Sequence, residues 1–283
     1  MKKTAVITGA DGGMGSEITR AIASAGYHVI MICREKEHGC KRMNEIKAET
    51  GNNDIEVIET DLSSLASVFG TTDILLKRLS SIDLLMNNAG TMSTHFFTTV
   101  DGIENTVAVN YVAPYLLTRR LLPLMHNGTR IVNMVSCTYA VGKIDDAFFT
   151  RGKKGSFWRI PIYSNTKLAL WLFTRRLSLL LKERGITVNA ADPGIVSTNM
   201  IRMHMWFDPL TDIFFRPFIR TPRQGADTAI HLLLDPKYEG LSGDMYASCK
   251  KRNLKDIYLN HPQMKTLWDD TEMMLLEKGY SLS

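Results

Sequence analysis

Cysteine is scarce in this 283-residue chain. The four, Cys33, Cys40, Cys137 and Cys249, form no CxxC pair and stand beside no histidine cluster. That excludes a disulfide framework or a zinc ribbon and fits free thiols in a reducing compartment. The histidines, His28, His38, His95, His126, His204, His231 and His261, show no ligand spacing, so no metal is expected. No apolar run approaches the roughly 18 residues of a membrane span. No basic stripe interleaved with aromatics appears, which argues against nucleic acid. No Pro/Gly/Ser-rich linker or internal repeat divides the chain, so one domain over residues 1–283 is expected. An apolar strand-like run begins at Thr4, so no signal peptide is expected to precede the fold and a cytoplasmic location is the default.

What is present is an ordinary globular composition, 45% hydrophobic and 22% charged. The net charge of +5 comes from 34 Lys+Arg against 29 Asp+Glu, spread along the chain. Short apolar runs alternate with longer amphipathic stretches. The runs predict strands over Thr4–Thr8, His28–Ile32, Ile55–Glu59, Leu84–Met86, Arg130–Val135, Thr187–Ala191 and Asp244–Ala247. The stretches predict helices over Met14–Ala25, Lys36–Thr50, Ser63–Arg78, Ile103–Met125, Tyr163–Glu183 and Arg223–Leu234. Strand and helix in alternation imply an α/β fold, a doubly wound parallel sheet of the Rossmann type with helices on both faces.

The first strand runs into Thr8-Gly9-Ala10-Asp11-Gly12-Gly13-Met14-Gly15 and then a helix. Glycines there let the backbone turn tightly against a pyrophosphate, which the free N–H groups of the helix N-terminus attract. The second strand ends Cys33-Arg34, with no acid at its tip. An acid would bind a ribose 2′-OH and repel a 2′-phosphate; Arg34 would do the reverse, favouring NADPH over NADH. Against this, Glu35 next to it offers Arg34 a neutralising partner, and Arg34 reads equally as a solvated charge.

Tyr163-Ser164-Asn165-Thr166-Lys167 puts a phenol and an ammonium four residues apart on one helical face. A free tyrosine, with a pKa of about 10, is a poor acid-base group at neutral pH, and a nearby ammonium would lower it. Such a pair is common by chance. Its weight comes from company: Ser136 ends the fifth strand, Asn87-Asn88-Ala89-Gly90 the fourth and Asp192-Pro193-Gly194 the sixth, while Asn110 is a polar residue inside an apolar helix. In a parallel sheet these strand ends share one edge, where ligands bind.

In this order the motifs, with Asp61-Leu62 after the third strand, are similar to those of the short-chain dehydrogenase/reductase superfamily over about the first 250 residues. Cys33-Arg34, the long Ser136–Tyr163 spacing, Ser164-Asn165-Thr166-Lys167-Leu168-Ala169, Thr221-Pro222-x-x-Gly225-Ala226 and Gly240-Leu241-Ser242-Gly243 resemble its retinol-dehydrogenase-like branch. The resemblance implies an NAD(P)-dependent oxidoreductase, mostly NADPH-using, acting on small apolar carbonyls or alcohols. It implies Tyr163 as general acid or base, Lys167 as ribose ligand and modulator of Tyr163, Ser136 as hydrogen-bond donor to the substrate oxygen, and Asn110 as holder of a proton-relaying water. It implies cofactor contacts from Gly9, Asp11, Gly13, Met14, Gly15, Arg34, Asp61, Leu62, Asn88, Ala89, Gly90, Pro193, Gly194, Val196 and Thr198. Gly12 stands where many NADPH-preferring relatives carry a basic residue, Asp192 is a less usual neighbour of Pro193-Gly194, and the N-terminal anchor of many animal retinol dehydrogenases is not seen. Relatives are often dimers or tetramers built on the two helices that here are Ile103–Met125 and Tyr163–Glu183.

Two other readings stay open: a cofactor-binding sensor or scaffold without turnover, and a Tyr/Lys-dependent epimerase. Sensors typically lose the Tyr or the Lys, both kept here, and epimerases usually carry a larger C-terminal part. The Met- and Phe-rich segment at about 197–221 is expected to be a lid over an apolar substrate, with a core, dimer or peripheral membrane contact as the other readings. The insertion Thr138–Ile162, with Asp145, Asp146, Arg151, Lys153 and Lys154, is expected to border the pocket mouth.

Overall fold

The computed structural model describes residues 2–145, 148–149, 158–196 and 220–282. Eight strands form one sheet: β1 Thr4–Thr8, β2 His28–Cys33, β3 Ile55–Glu59, β4 Ile82–Asn87, β5 Met125–Met134, β6 Thr187–Asp192, β7 Met245–Ala247 and β8 Lys250–Lys251. Their order is β3-β2-β1-β4-β5-β6-β7-β8. The first seven are parallel, and the two-residue β8 pairs antiparallel with β7. The order reverses between β1 and β4, which opens a crevice at their carboxyl ends.

The strands are apolar on both faces because both faces are covered. Val6, Ile30 and Leu85 point to one core, and Ala5, Ile7, Val29, Met31 and Met86 point to the other, as the two-residue period of a strand requires. The second core packs α1 (Gly13–Ser24), α2 (Lys36–Thr50) and the later helix Pro222–Leu234. The first core packs α3 (Leu65–Arg78), α4, and α5 (Arg159–Leu180). Helix α4 runs through Asn105–Val107, a π turn at Ala108–Val112, and Ala113–Leu121. We number Pro222–Leu234 α6; a final helix, α7 (Gln263–Glu277), closes over the first core through Leu267, Trp268 and Leu275.

Two of the boundaries that differ from the sequence expectation bear on the site. Helix α5 begins one turn before Tyr163, because Pro161 falls in its first turn, where a missing N–H costs nothing. Strand β5 begins at Met125, where the predicted helix ended; its polar start is held by Thr129 Oγ1 donating to the Ile82 carbonyl at 2.8 Å. The expected lid lies outside the described residues apart from Arg220 and Thr221, as do Thr198, Asp146, Arg151, Lys153 and Lys154.

Candidate active site

The turn after β1 is shaped by close backbone approach. Gly9 has φ +59°, and a Cβ on Gly15 would stand 1.9 Å from the Gly9 carbonyl oxygen. Helix α1 therefore starts directly against the turn and presents its N–H end to the crevice. Thr8, the polar end of an apolar strand, ties this turn to the β4 edge: its Oγ1 accepts the N–H of Asn88 at 3.0 Å and of Ala89 at 3.1 Å. The Asn88 amide donates to the carbonyls of Thr8 and Gly9 at 3.0 and 3.1 Å. Its Oδ1 is buried with no partner in the protein, an orphan acceptor of the kind that a bound ligand satisfies. A cradle that admits no side chain and an unmet buried acceptor both fit a dinucleotide.

A cleft of about 800 Å³ runs along this edge. It is lined by Arg34, Glu35 and His38, by Thr60, Asp61 and Leu62, and by Ala89, Gly90 and the residues that follow as far as Phe97. Arg34 is exposed, with Nη2 3.1 Å from Glu35 Oε1, so the neutralising partner foreseen beside it is engaged. Asp61 accepts the N–H and O–H of Ser63 at 2.9 and 2.7 Å. His38, absent from the sequence motifs, lies on Asp11: Nδ1 is 2.7 Å from Oδ2.

The reactive pair sits beyond Gly90. A Cβ placed on Gly90 would be 3.5 Å from Lys167 Nζ and 3.4 Å from Asn110 Oδ1, so these two groups lie directly against Gly90 of the cleft lining. Lys167 is buried, donates to the Met134 carbonyl at 2.9 Å, and lies 5.4 Å from the Tyr163 ring centroid. Burial brings its pKa down to about 8, against the upward pull of Asp192. Tyr163 moves the other way: burial pushes its phenol up to about 12, and the Ser136 hydrogen bond opposes the rise. Lys167 meets the Tyr163 ring while one of its three N–H groups donates to β5, and burial is the largest influence on the phenol. Ser136 Oγ accepts from the N–H and O–H of Thr138 at 3.3 and 3.2 Å, which leaves its own proton for Tyr163.

Asn110 is held by three side-chain hydrogen bonds. Its Oδ1 accepts the Thr91 N–H at 2.7 Å, and its Nδ2 donates to the Thr91 carbonyl at 2.8 Å and to Thr166 Oγ1 at 3.1 Å. Both side-chain donors are spent on the protein, so the amide clamps the segment beside Gly90. The π turn around Asn110 is what aims it there; such turns recur at functional sites. On β6, Asp192 Oδ1 accepts the Gly194 N–H at 3.0 Å. Arg220, another residue the motifs omit, donates to the Pro193 carbonyl at 3.2 Å and to Ser248 Oγ at 2.7 Å. Val196 is buried, and a Cβ on Gly225 would stand 2.6 Å from it and 2.9 Å from Met14 Sδ. Met14, Val196 and α6 therefore form one contact, which explains Gly225 in the Thr221-Pro222-x-x-Gly225 motif. Among the described residues no group of acidic, histidine or cysteine side chains is arranged to hold a metal.

Comparison with known proteins gives the same answer from another direction. The short chain dehydrogenase family pattern matches residues 3–205. Human retinol dehydrogenase 14 is 33% identical over 291 residues, covering 96% of this chain and 86% of its own. Bovine retinol dehydrogenase 12 is 34% identical over 275 residues, covering 94% and 84%. Among solved structures, an uncharacterised protein from Mycobacterium paratuberculosis has a TM-score of 0.77 at 25% identity, covering 96% of this chain and 92% of its own. A blue fluorescent protein from a metagenomic library, in complex with NADPH, has a TM-score of 0.69 at 25% identity, covering 87% and 95%. With its glycine cradle, strand order and Tyr163–Lys167 pair, the chain belongs to the short-chain dehydrogenase family, in its retinol-dehydrogenase-like branch, and is an NAD(P)-dependent oxidoreductase.

Proposed function

We propose that the protein transfers hydride between NADPH and a small apolar carbonyl or alcohol, with Tyr163 as the general acid in reduction and the base in oxidation. The observation that carries this reading is the convergence of Tyr163, Lys167 and Ser136, with Lys167 directly against Gly90 of the cleft lining. The nicotinamide cofactor supplies the hydride when bound. Tyr163, pushed up to about 12, carries its proton at neutral pH and gives it to the carbonyl oxygen as the carbon accepts hydride. Ser136, with a proton to donate, stabilises the negative charge growing on that oxygen. Lys167 holds a ribose hydroxyl and refills the proton on Tyr163; with its pKa near 8 it can release one at physiological pH. Asn110 fixes Thr91 and so the wall at Gly90. Arg34, at the tip of β2, supports NADPH over NADH.

A panel of carbonyls and alcohols, followed by cofactor absorbance with NADPH and with NADH, tests this directly. Tyr163→Phe is expected to lower kcat by at least about 10²-fold on every substrate turned over, the usual reach of a lost acid-base group. Wild-type rates in that variant would overturn the mechanism, and a clear preference for NADH would overturn the cofactor assignment.

A further inference from the structure

The turn that follows Ser136 is held from two sides, and one of its holders comes from far along the chain. This turn is a short 3-10 helix over Cys137–Val141. Its first residues reach back to Ser136. The N–H and O–H of Thr138 donate to Ser136 Oγ at 3.3 and 3.2 Å, and the Tyr139 N–H donates to the Ser136 carbonyl at 3.0 Å. The direction in which Ser136 aims its own proton therefore depends on where the turn sits. On one side the turn leans on α5. A Cβ on Gly142 would stand 2.8 Å from Leu168 Cβ, and the Lys143 N–H donates to Asn165 Oδ1 at 2.7 Å. On the other side stands Tyr258, in the short helix Asp256–Leu259. Its hydroxyl donates to the Ala140 carbonyl at 3.0 Å, and its ring meets the Tyr139 ring edge-on at 5.1 Å. Tyr258 is in turn fixed to α5. The indole N–H of the buried Trp171 donates to the Tyr258 carbonyl at 2.9 Å, and Arg175 Nε donates to the Leu259 carbonyl at 3.4 Å.

Resting on the reading of Ser136 above, we propose that Tyr258 is a positioning residue for the reaction: it clamps the middle of the Cys137–Val141 turn and so keeps the Ser136 hydroxyl directed at Tyr163. Tyr163 lies on α5 and Ser136 follows β5, so their approach is set by whatever ties the strand end to the helix. Gly142 and Lys143 tie the far end of the turn to α5 directly. Tyr258 ties its middle to α5 through Trp171. Without the Tyr258 hydroxyl the Ala140 carbonyl turns to water, and the middle of the turn gains freedom while its far end stays in place. Thr138 then no longer holds its two donors on Ser136 Oγ, and the Ser136 proton leaves Tyr163 for part of the time. What is lost is stabilisation of the charge that grows on the substrate oxygen, an interaction of the transition state, so the loss falls on kcat and spares KM.

Two variants separate the parts of the clamp: Tyr258→Phe keeps the ring and removes the bond to Ala140, and Tyr258→Ala removes both. With NADPH and a carbonyl that the wild type reduces, kcat is expected to fall about threefold in Tyr258→Phe and about tenfold in Tyr258→Ala, with KM within about twofold. Ser136→Ala alone is expected to lose about 10²-fold, which cofactor absorbance still follows. In that background neither Tyr258 change should lower kcat further, because the group they position is gone. Hydrogen exchange of the full chain, with no cofactor or substrate, gives a readout independent of turnover. The N–H groups of Tyr139 and Gly142, bonded to the carbonyls of Ser136 and Tyr139, should exchange at least about threefold faster in Tyr258→Phe, while those of β5 and α5 keep their wild-type rates. Equal losses of kcat with and without Ser136, or faster exchange throughout α5, would make Tyr258 a general brace and overturn the proposal. Wild-type kcat in both Tyr258 variants would also overturn it, while a loss in Ser136→Ala leaves the reading of Ser136 standing. Wild-type kcat in Ser136→Ala would overturn both.

Discussion

At Lys167, stability and chemistry pull in opposite directions. A buried ammonium with its pKa brought from 10.5 to about 8 is a charged group that the fold disfavours. The sign follows from linkage: between about pH 8 and 10.5 the unfolded chain holds a proton that the folded chain has released, so stability rises with pH across that window. Below pH 8 the full cost applies, about 3 kcal/mol for such a change. Replacing the ammonium by a similar apolar chain removes this cost and gives up the bond to the Met134 carbonyl, worth about 1 kcal/mol. Lys167→Met is therefore expected to be more stable than the wild type by about 1–3 kcal/mol at pH 7 and inactive, with its advantage fading toward pH 10. Urea unfolding of both proteins at the two pH values measures this; an equal difference at both would remove the buried-charge argument.

Elements show which parts of this site can be read from sequence. The glycine turn, the Asn88–Gly90 edge, Ser136 and the Tyr163–Lys167 spacing were legible because each is a break in a strong local pattern, and β1, β3 and α2 take the bounds the periodicity predicts. Long-range geometry was not legible. The π turn is a shift in hydrogen bonding that leaves the apolar pattern of α4 intact, so Asn110 could be flagged but its target, Thr91, could not. Thr8 and Arg220 bind across the fold, and the sequence marks only Thr8, as a polar end to an apolar strand. Nor does sequence rank the glycines. A Cβ on Gly12 would meet the Gly9 carbonyl at an ordinary 3.5 Å, whereas one on Gly15 would strike it at 1.9 Å. Gly12→Ala is expected to bind cofactor within about twofold of wild type. Gly15→Ala, which must displace the turn from α1, is expected to lose at least about tenfold, or about 1.4 kcal/mol. Titration of NADPH fluorescence decides it, and equal effects of the two changes would refute the close-approach account.

The whole molecule bears on how the chain meets its own copies. The family resemblance implies subunit contacts through the two long helices, here α4 and α5. In this chain both are already covered. Phe148, from the insertion after β5, packs its ring edge on Tyr111 of α4 at 5.5 Å. Helix α7 lays Trp268 on Tyr115 of α4 and Phe173 of α5, with centroids 5.1 and 5.8 Å away. Arg119 stacks over Trp268 at 4.6 Å while pairing with Glu272, and the Tyr111 hydroxyl meets Thr271 Oγ1 at 2.8 Å. Almost every residue of α5 from Ile162 to Ser178 is buried within one chain, so the face a partner would need is spent on the chain's own C-terminal helix. Light scattering is expected to give the monomer mass of 31.9 kDa, and a stable dimer using α4 and α5 would contradict it. Trp268 is the centre of the seal, 7% exposed with three aromatic or cationic neighbours. Trp268→Ala is expected to lower unfolding stability by about 3–5 kcal/mol, the range for emptying a large aromatic site. Because the helices it braces carry Asn110, Tyr163 and Lys167, the same change should lower kcat at temperatures where the chain stays folded. Loss of stability with an untouched kcat would confine α7 to a structural role.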